Sequence, residues 1–302
     1  MLHVARLAAT GNPGREILRF ARLPGKNVQR PRRMTPSPVR DLTAFKEAYE
    51  RDGYFVVPAL FSPSEVAEII AEFEAIHTAG DAERIYSDKI TDPNDPLTHW
   101  PRVVHPHRFN AVARRYLLHP EIRALLTATL GAEPVAAQTM YYFKPPGSRG
   151  QAMHQDNLYL LVQPGTCVGV WTAMDVCDEQ NGCMMVVPGS HRGNLLCNEN
   201  AHLGESFAPG FVRIPKGMKA VPVRLQPGDS LVFHGQLIHG SGPNRHPTRF
   251  RRSFIGHYAA GNVQQISQFY LPLVKFADSA DYEVTAVTDG GACGETWQGA
   301  AH

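Results

Sequence analysis

Residues 134–143 read PVAAQTMYYF and begin a series of short β-like runs. The later runs are QAMHQDNLYLLV (151–162), CVGVWTAMDV (167–176), CMMVVPG (183–189), KAVPVRL (219–225), DSLVFHG (229–235) and RSFIGHYAA (252–260). They are separated by turn segments such as DEQNG (178–182) and GSGPNRHP (240–247), which are rich in Gly, Pro, Asn and Asp. Seven short strands at this spacing predict a mainly β protein with an all-β sandwich or jelly roll.

Helical patterns come before the β runs. The candidate helices are DLTAFKEAYERDG (41–53), SPSEVAEIIAEFEAIHTAG (62–80) and HPEIRALLTATLG (119–131). Ser62 and Glu65 form the sequence pattern of a capping box, and Gly53 and Gly131 are typical helix stops. We therefore predict one domain over 41–302, a cupin-like double-stranded β-helix (jelly roll) with flanking N-terminal α-helices.

Composition excludes several classes of protein. The 302 residues are 43% hydrophobic and 19% charged, with a formal net charge of +2. This near-balance does not suggest binding to nucleic acid or to a membrane surface. No apolar run approaches the roughly 18–20 residues that a membrane-spanning helix needs. We expect a small-molecule partner and no membrane insertion, and the oligomeric state stays open.

The first 40 residues differ from the rest, because they are rich in arginine and contain a single acid, Glu16. They have no apolar segment of secretory length. An organelle transit peptide has a similar composition, but we favour a basic, flexible tail. The five cysteines are odd in number and form no CxxC pair, which predicts free thiols in a reducing compartment. We therefore expect a cytoplasmic location.

Two motifs provide candidate metal ligands. Within MHQDNLYL (153–160), alternation along a strand would place His154 and Asp156 on one face, about 6–7 Å apart. A second histidine, His239, lies in SLVFHGQLIHGSGPN (230–244), 83 residues after the aspartate, and we place it at the end of that strand. Two histidines and one carboxylate with open positions are typical of iron(II) oxygenases. Zinc could use the same ligands.

A candidate anion site follows. Arg251 and Arg252 lie 12 and 13 residues after His239, on the predicted next strand. Only one of them can point inward, because neighbours on a strand face opposite ways. A buried arginine needs an anion, and its planar fork suits a carboxylate. The alternative is a pair of surface arginines in a basic loop.

Taken together, these motifs resemble the phytanoyl-CoA dioxygenase family of iron(II)/2-oxoglutarate oxygenases. HQD (154–156), NGCMMVVPGSH (181–191) and IHGSGPN (238–244) carry the resemblance, supported by KPPG (144–147) and VWTAMD (170–175). The resemblance covers roughly residues 41–260. It implies an enzyme that uses Fe(II), O2 and 2-oxoglutarate to hydroxylate an unactivated C–H bond, with release of succinate and CO2. Family members act on lipids, amino-acid derivatives, phosphonates and secondary metabolites.

The resemblance also assigns roles to individual residues. The metal triad would be His154, Asp156 and His239. Arg251 would bind the distal carboxylate of 2-oxoglutarate with Ser241 beside it, and Trp171 would lie near the co-substrate. The spacing from His239 leaves Arg252 as an alternative. If Arg251 faces inward, alternation sends Ser253, Ile255 and His257 inward as well. Related halogenases have a small residue at the position of Asp156, so its presence favours hydroxylation.

Several positions stay open at this point. His234 and His191 are expected to pack or to brace the fold, and Gln138, Tyr142 and Lys144 share one strand face that could line the pocket. Asn157 and Tyr159 should alternate away from the metal. Residues 81–118, with His99, His105 and His107, form either a lid over the site or a surface loop. The competing functions are a cupin-like metal enzyme that does not use 2-oxoglutarate and a non-catalytic ligand-binding relative.

Overall fold

The computed structural model describes residues 40–80 and 92–288. The predicted basic tail, apart from Arg40, lies outside the described residues, as do residues 81–91 of the candidate lid and Cys293. Most helices of the described part come from the N-terminal half of the chain, before the central strands. They are α1 (Leu42–Asp52), α2 (Pro63–Ala79), α3 (Pro96–His99), α4 (Ala111–Leu117), α5 (Pro120–Leu130) and α6 (Asn157–Leu160), with 3-10 turns at Pro106–Arg108, Ser190–Arg192 and Gln268–Tyr270.

Local signals explain where the long helices begin and end. The capping box of α2 is confirmed: the backbone N–H of Glu65 donates to Ser62 Oγ (3.3 Å), and the backbone N–H of Ser62 donates to the Glu65 carboxylate (2.7 Å). Gly53 and Gly131 end α1 and α5 with φ of 83° and 70°. This left-handed conformation has little steric cost for glycine, so both stops occur where the sequence predicts them.

The strands form two antiparallel sheets and two small pairs. They are β1 (Tyr54–Val57), β2 (Val103–Val104), β3 (Pro134–Tyr142), β4 (Gln151–His154), β5 (Val168–Ala173), β6 (Met184–Val186), β7 (Glu199–Asn200), β8 (Gly210–Phe211), β9 (Val221–Val223), β10 (Ser230–His234), β11 (His239–Ser241), β12 (Ser253–Ala260), β13 (Gln265–Ser267), β14 (Leu273–Lys275), β15 (Asp281–Tyr282) and β16 (Thr285–Val287). The large sheet has the order β1-β10-β5-β12-β3-β14-β15, with β2 also on β3, and the small sheet has the order β4-β11-β6-β9. The mainly β prediction is confirmed.

Alternation along the central strands gives the large sheet two buried faces. Tyr141 and Phe254 point to one face, where they pack with helix residues such as Phe73. Their neighbours Met140, Tyr142 and Ile255 point to the other face, where they pack with residues of the small sheet such as Met184 and Val186. One core therefore lies under the helices, and a second lies between the two sheets.

Three predicted strands differ from the structure near the candidate site. The run 151–162 is not one strand: β4 ends at His154, and the chain turns into α6 because Asp156 is already helical (φ −59°, ψ −38°). His234 and His239 do not share a strand, since β10 belongs to the large sheet and β11 to the small sheet. Arg251 and Arg252 precede β12, which begins at Ser253. In the first two cases a turn carries the chain to a new element within a run that looks continuous in sequence, and in the third the strand begins later than predicted.

The cysteines follow the prediction only in part. Cys167, Cys177 and Cys183 are free and buried. Cys197 takes part in a disulfide bond, so the prediction of a free thiol is wrong at this position. The spacing of cysteines along the chain does not reveal a pairing that depends on long-range folding. None of the helices in the described ranges is long and apolar enough to cross a membrane.

The packing of α2 on the large sheet provides a stability test. The ring of Phe73 is fully buried and stacks on Tyr141, with centroids 4.1 Å apart and planes within 2°. We expect Phe73→Ala to lower the free energy of unfolding by about 3–5 kcal/mol, because the change leaves a cavity in the core. Urea denaturation measures the loss. Leu203→Ala, at a side chain that is 58% exposed, is the control and should change stability by no more than about 0.5 kcal/mol. An equal loss in both variants would contradict this account of the core.

Candidate active site

Three side chains converge between the two sheets. His154 ends β4 and His239 begins β11, and the two residues lie directly opposite each other in the antiparallel register. Asp156 follows two residues after His154, and its Oδ1 lies 3.4 Å from Nε2 of His154 and 3.3 Å from Nε2 of His239. All three are at most 4% exposed. Within the described ranges, they form the one group of three acidic, histidine or cysteine side chains with metal-binding geometry.

Backbone hydrogen bonds set the tautomer of both histidines. Nδ1 of His154 lies 2.8 Å from the carbonyl oxygen of Ala152, and Nδ1 of His239 lies 2.9 Å from that of Leu237. A carbonyl only accepts, so each Nδ1 carries the proton and donates it. The lone pair of each imidazole is therefore on Nε2, the atom that faces Asp156. This is the tautomer that a metal requires.

A third histidine orients the carboxylate. Nε2 of His257, on β12 of the large sheet, donates to Oδ2 of Asp156 over 2.9 Å. This bond turns Oδ1 towards the two histidine ligands, as buried hydrogen bonds to metal-binding carboxylates do. Alternation from Arg251 correctly predicted that His257 points inward. No sequence signal links it to Asp156, which is 101 residues away.

Burial and neighbouring charges shift the pKa values of the two histidines in opposite directions. Burial and the nearby His239 lower the pKa of His154. Burial also acts to lower the pKa of His239, but the carboxylate of Asp156 outweighs it and raises that pKa. A divalent cation would be stabilised by the same buried carboxylate and by two neutral imidazoles. The ligand set fits iron(II) with three open positions, and it also fits zinc.

The arginine pair is divided between two environments. Arg251 is 3% exposed and lines the same cavity as the triad, with Cζ 5.0 Å from the centre of the Trp171 ring. Its Nε and Nη1 have no hydrogen-bond partner among the described residues, and burial lowers its pKa. Arg252 instead pairs with Asp175, through Nε to Oδ2 (3.0 Å) and Nη2 to Oδ1 (2.8 Å). Arg251 is therefore the inward arginine, and no carboxylate of the described residues forms the salt bridge that a buried guanidinium needs.

The other predicted pocket residues differ in whether they line the cavity. Ser241 and Tyr142 line the cavity, together with the apolar side chains of Met140, Met184, Phe207, Phe233 and Ile255. Gln138 and Lys144 are buried but do not line this cavity. Arg102 belongs to the candidate lid, residues 81–118. Its Nη1 donates to the hydroxyl of Tyr142 over 2.9 Å. Cζ of Arg102 also lies 5.6 Å from the centre of the Phe207 ring, so the described part of the candidate lid contacts residues that line the cavity.

The remaining candidate histidines, all within the described ranges, are outside the metal group. His191 lies 3.2 Å from the carbonyl of Glu50 and braces α1, and Nδ1 of His234 accepts from the backbone N–H of Gln236. His99 is exposed, and Nδ1 of His107 contacts Thr139 Oγ1 at 2.7 Å. Tyr159 differs from the prediction: its ring centre is 6.4 Å from that of His154, because α6 replaces the expected strand.

The family model for phytanoyl-CoA dioxygenase (PhyH) matches residues 49–253. The chain therefore belongs to the phytanoyl-CoA dioxygenase family of iron- and 2-oxoglutarate-dependent oxygenases. Peroxisomal phytanoyl-CoA dioxygenase of Bos taurus is 28% identical over 244 residues, which are 73% of this chain and 69% of the bovine protein. Phytanoyl-CoA dioxygenase 1 of Oryza sativa subsp. japonica is 31% identical over 147 residues, 47% of this chain and half of the rice protein.

A solved structure shows the same fold. The non-heme alpha-ketoglutarate-dependent epimerase SnoN from nogalamycin biosynthesis is 25% identical, with a TM-score of 0.58. The match covers 74% of this chain and 83% of the epimerase. The same epimerase has also been solved with Fe3+, alpha-ketoglutarate and nogalamycin RO, and that structure matches with a TM-score of 0.61 at 24% identity.

The bond from His257 to Asp156 predicts a loss of metal affinity. We expect His257→Phe to weaken binding of Fe(II), or of Mn(II) as its stable substitute, about 10–100-fold, because the carboxylate loses the donor that orients it. Competition with a chromophoric chelator under anaerobic conditions measures the affinity. His202→Phe, an identical change at an exposed histidine, should leave the affinity unchanged. Equal affinities for His257→Phe and the unmodified protein would show that His257 does not support the metal site.

Proposed function

We propose that this protein is an iron(II)- and 2-oxoglutarate-dependent dioxygenase that hydroxylates an unactivated C–H bond of a small organic metabolite. The single observation that carries the proposal is one cavity lined by a buried two-histidine, one-aspartate group and by a buried arginine without an anion. We also propose that the two sheets with this cavity between them form a double-stranded β-helix. The family of the chain supports both proposals.

The metal would be held by His154, Asp156 and His239. Their Nε2 and Oδ1 atoms already face one another, so the ligands need no rearrangement to share a cation. When bound, iron(II) with O2 and 2-oxoglutarate supplies the oxidising chemistry, and succinate and CO2 are released. The chain contributes the orientation of the ligands, through backbone bonds to both histidines and the bond from His257.

The co-substrate would be anchored at Arg251. Its Nε and Nη1 present two N–H donors in the fixed fork that matches a carboxylate. Ser241 lines the same cavity, and the centre of the Trp171 ring lies 5.0 Å from Cζ of Arg251. A dicarboxylate that reaches the metal at one end and Arg251 at the other would supply the missing anion. A monocarboxylate bound at the metal alone would leave the guanidinium unpaired.

The walls of the cavity suit an organic substrate. Met140, Met184 and Phe233 are all less than 7% exposed, and they give the space between the sheets an apolar lining. An apolar lining of this kind would keep water away from the metal. It would also place apolar groups of the substrate, with their C–H bonds, beside the metal. The names of the relatives point to different molecules, phytanoyl-CoA for the bovine dioxygenase and nogalamycin RO in the complex of SnoN, so family membership does not assign the substrate.

Replacement of Arg251 tests the use of 2-oxoglutarate. Arg251→Met should raise the KM for 2-oxoglutarate by at least about 30-fold in uncoupled succinate formation, because charged hydrogen bonds contribute about 1.5–3 kcal/mol each. The assay varies 2-oxoglutarate at saturating iron(II). Arg252→Met removes an equal charge, but its partner Asp175 is outside the cavity, so the KM should stay within about threefold.

The same assay tests the competing functions. If the unmodified protein forms no succinate with iron(II) and O2, it would be either a cupin-like metal enzyme that does not use 2-oxoglutarate or a ligand-binding protein without turnover. An unchanged KM in Arg251→Met would show that Arg251 does not anchor the co-substrate. Zinc-loaded protein should form no succinate, because zinc has no redox chemistry.

The reaction outcome is tested on the product. A screen of lipids, amino-acid derivatives, phosphonates and secondary metabolites for stimulated succinate release identifies a substrate. We then expect the product to gain one oxygen atom from labelled O2, as measured by mass spectrometry. A product of unchanged mass would contradict hydroxylation and would match an epimerase reaction such as the one named for SnoN.

A further inference from the structure

We propose that Lys144 is a positioning residue for the distal carboxylate of 2-oxoglutarate, and that it acts through the hydroxyl of Ser241. The inference rests on the proposed use of 2-oxoglutarate. Lys144 is 3% exposed, and none of the salt bridges of the described residues includes it. Its Nζ lies 3.1 Å from Ser241 Oγ, 3.2 Å from the carbonyl oxygen of Gly182 and 2.6 Å from that of Gly242. The side chain thus reaches from the end of β3 to the end of β11.

The three contacts of Nζ match the three N–H donors of an ammonium group. The two carbonyls can only accept, and they take two of the donors. The third N–H points to Ser241 Oγ. A buried ammonium without a carboxylate is costly, and burial together with the positive charge of Arg251 lowers the pKa of Lys144. An anion bound at Arg251 would offset this shift and favour the ammonium form of Lys144, which has the three donors.

The consequence for Ser241 follows from its hydrogen-bonding capacity. Its Oγ accepts from Nζ of Lys144 and also from the backbone N–H of Gln151, at 3.3 Å. A hydroxyl has two acceptor lone pairs and one donor. With both lone pairs occupied, the Ser241 hydroxyl can act only as a donor. Since Ser241 lines the cavity together with Arg251, the carboxylate bound by Arg251 is the acceptor for this O–H group.

The backbone of Lys144 holds the same site from the other side. Its carbonyl accepts from the backbone N–H of Arg251 and from the side-chain amide of Asn244, each at 3.1 Å. Lys144 has φ of 42°, a left-handed conformation that disfavours a non-glycine residue. One residue thus fixes the backbone that carries Arg251 and sets the direction of the Ser241 hydroxyl. The strained conformation is typical of residues held in place for a functional site.

The test compares two ligands that differ in the distal carboxylate. Binding of 2-oxoglutarate and of 2-oxobutyrate, which lacks that group, is measured by calorimetry on Mn(II)-loaded protein without O2. We expect Lys144→Met to weaken 2-oxoglutarate binding at least tenfold and to change 2-oxobutyrate binding less than twofold. Ser241→Ala should show the same selective loss. The double variant should lose no more than the larger single loss, because both changes remove one hydrogen bond to the carboxylate.

Controls separate this role from a structural one. Lys216→Met, at an exposed lysine, should change neither affinity. Equal weakening of both ligands in Lys144→Met, or losses that multiply in the double variant, would overturn the inference. If Lys144→Met does not fold, Ser241→Ala decides alone, and an unchanged ratio of the two affinities in that variant overturns it.

The same titrations distinguish failure of the inference from failure of the proposed function. If the unmodified protein binds 2-oxoglutarate no better than 2-oxobutyrate, the distal carboxylate has no site, and the proposed co-substrate is wrong. A different pattern would reject only the role of Lys144. In that pattern the unmodified protein binds 2-oxoglutarate more tightly than 2-oxobutyrate, Arg251→Met abolishes this difference, and Lys144→Met preserves it.

Discussion

The pairing of β4 with β11 is the constraint on which the site depends. It places His154 directly opposite His239, and it brings Gln151 next to the hydroxyl of Ser241. The two strands approach so closely that a Cβ on Gly240 would lie 2.8 Å from the carbonyl oxygen of Gln151. A slip of one residue in this register would turn one histidine to the opposite face of the small sheet. The positions of His154, His239 and the Ser241 hydroxyl therefore depend on the same few backbone hydrogen bonds.

Much of this arrangement can be predicted from sequence, because the signals are local or periodic. The two histidines, the aspartate and the arginine pair stand out as motifs, and alternation correctly places Ile255 and His257 inward with Arg251. The break after His154 was not predicted, because the apolar residues on both sides suggest one strand, although Asp156 and Asn157 are residue types that favour turns. Asp156 reaches the metal group from the start of a helical turn, and this helical turn also brings Tyr159 near His154.

Contacts between distant segments explain what the sequence left open. Arg251 and Arg252 are equivalent as motif residues, and their difference lies in Asp175, which binds the side chain and the backbone N–H of Arg252. His257 and Lys144 are likewise defined by partners 101 and 97 residues away. Hydrophobic periodicity predicts which face of a strand is buried, but it does not indicate which polar side chain of a distant segment contacts that face.

The cavity combines buried groups of opposite charge. The carboxylate of Asp156 lies among three histidines, and the guanidinium of Arg251 lines the same cavity. A cation bound by the proposed triad would neutralise the carboxylate, and an anion would neutralise the guanidinium, so a metal and a dicarboxylate together would satisfy both. Neither alone would do so, because each would leave one buried charge without a counter-ion. On the proposed function, 2-oxoglutarate would therefore direct its keto acid towards the metal and its distal carboxylate towards Arg251, and the apolar side chains of Met140, Met184 and Phe233 would remain for the substrate.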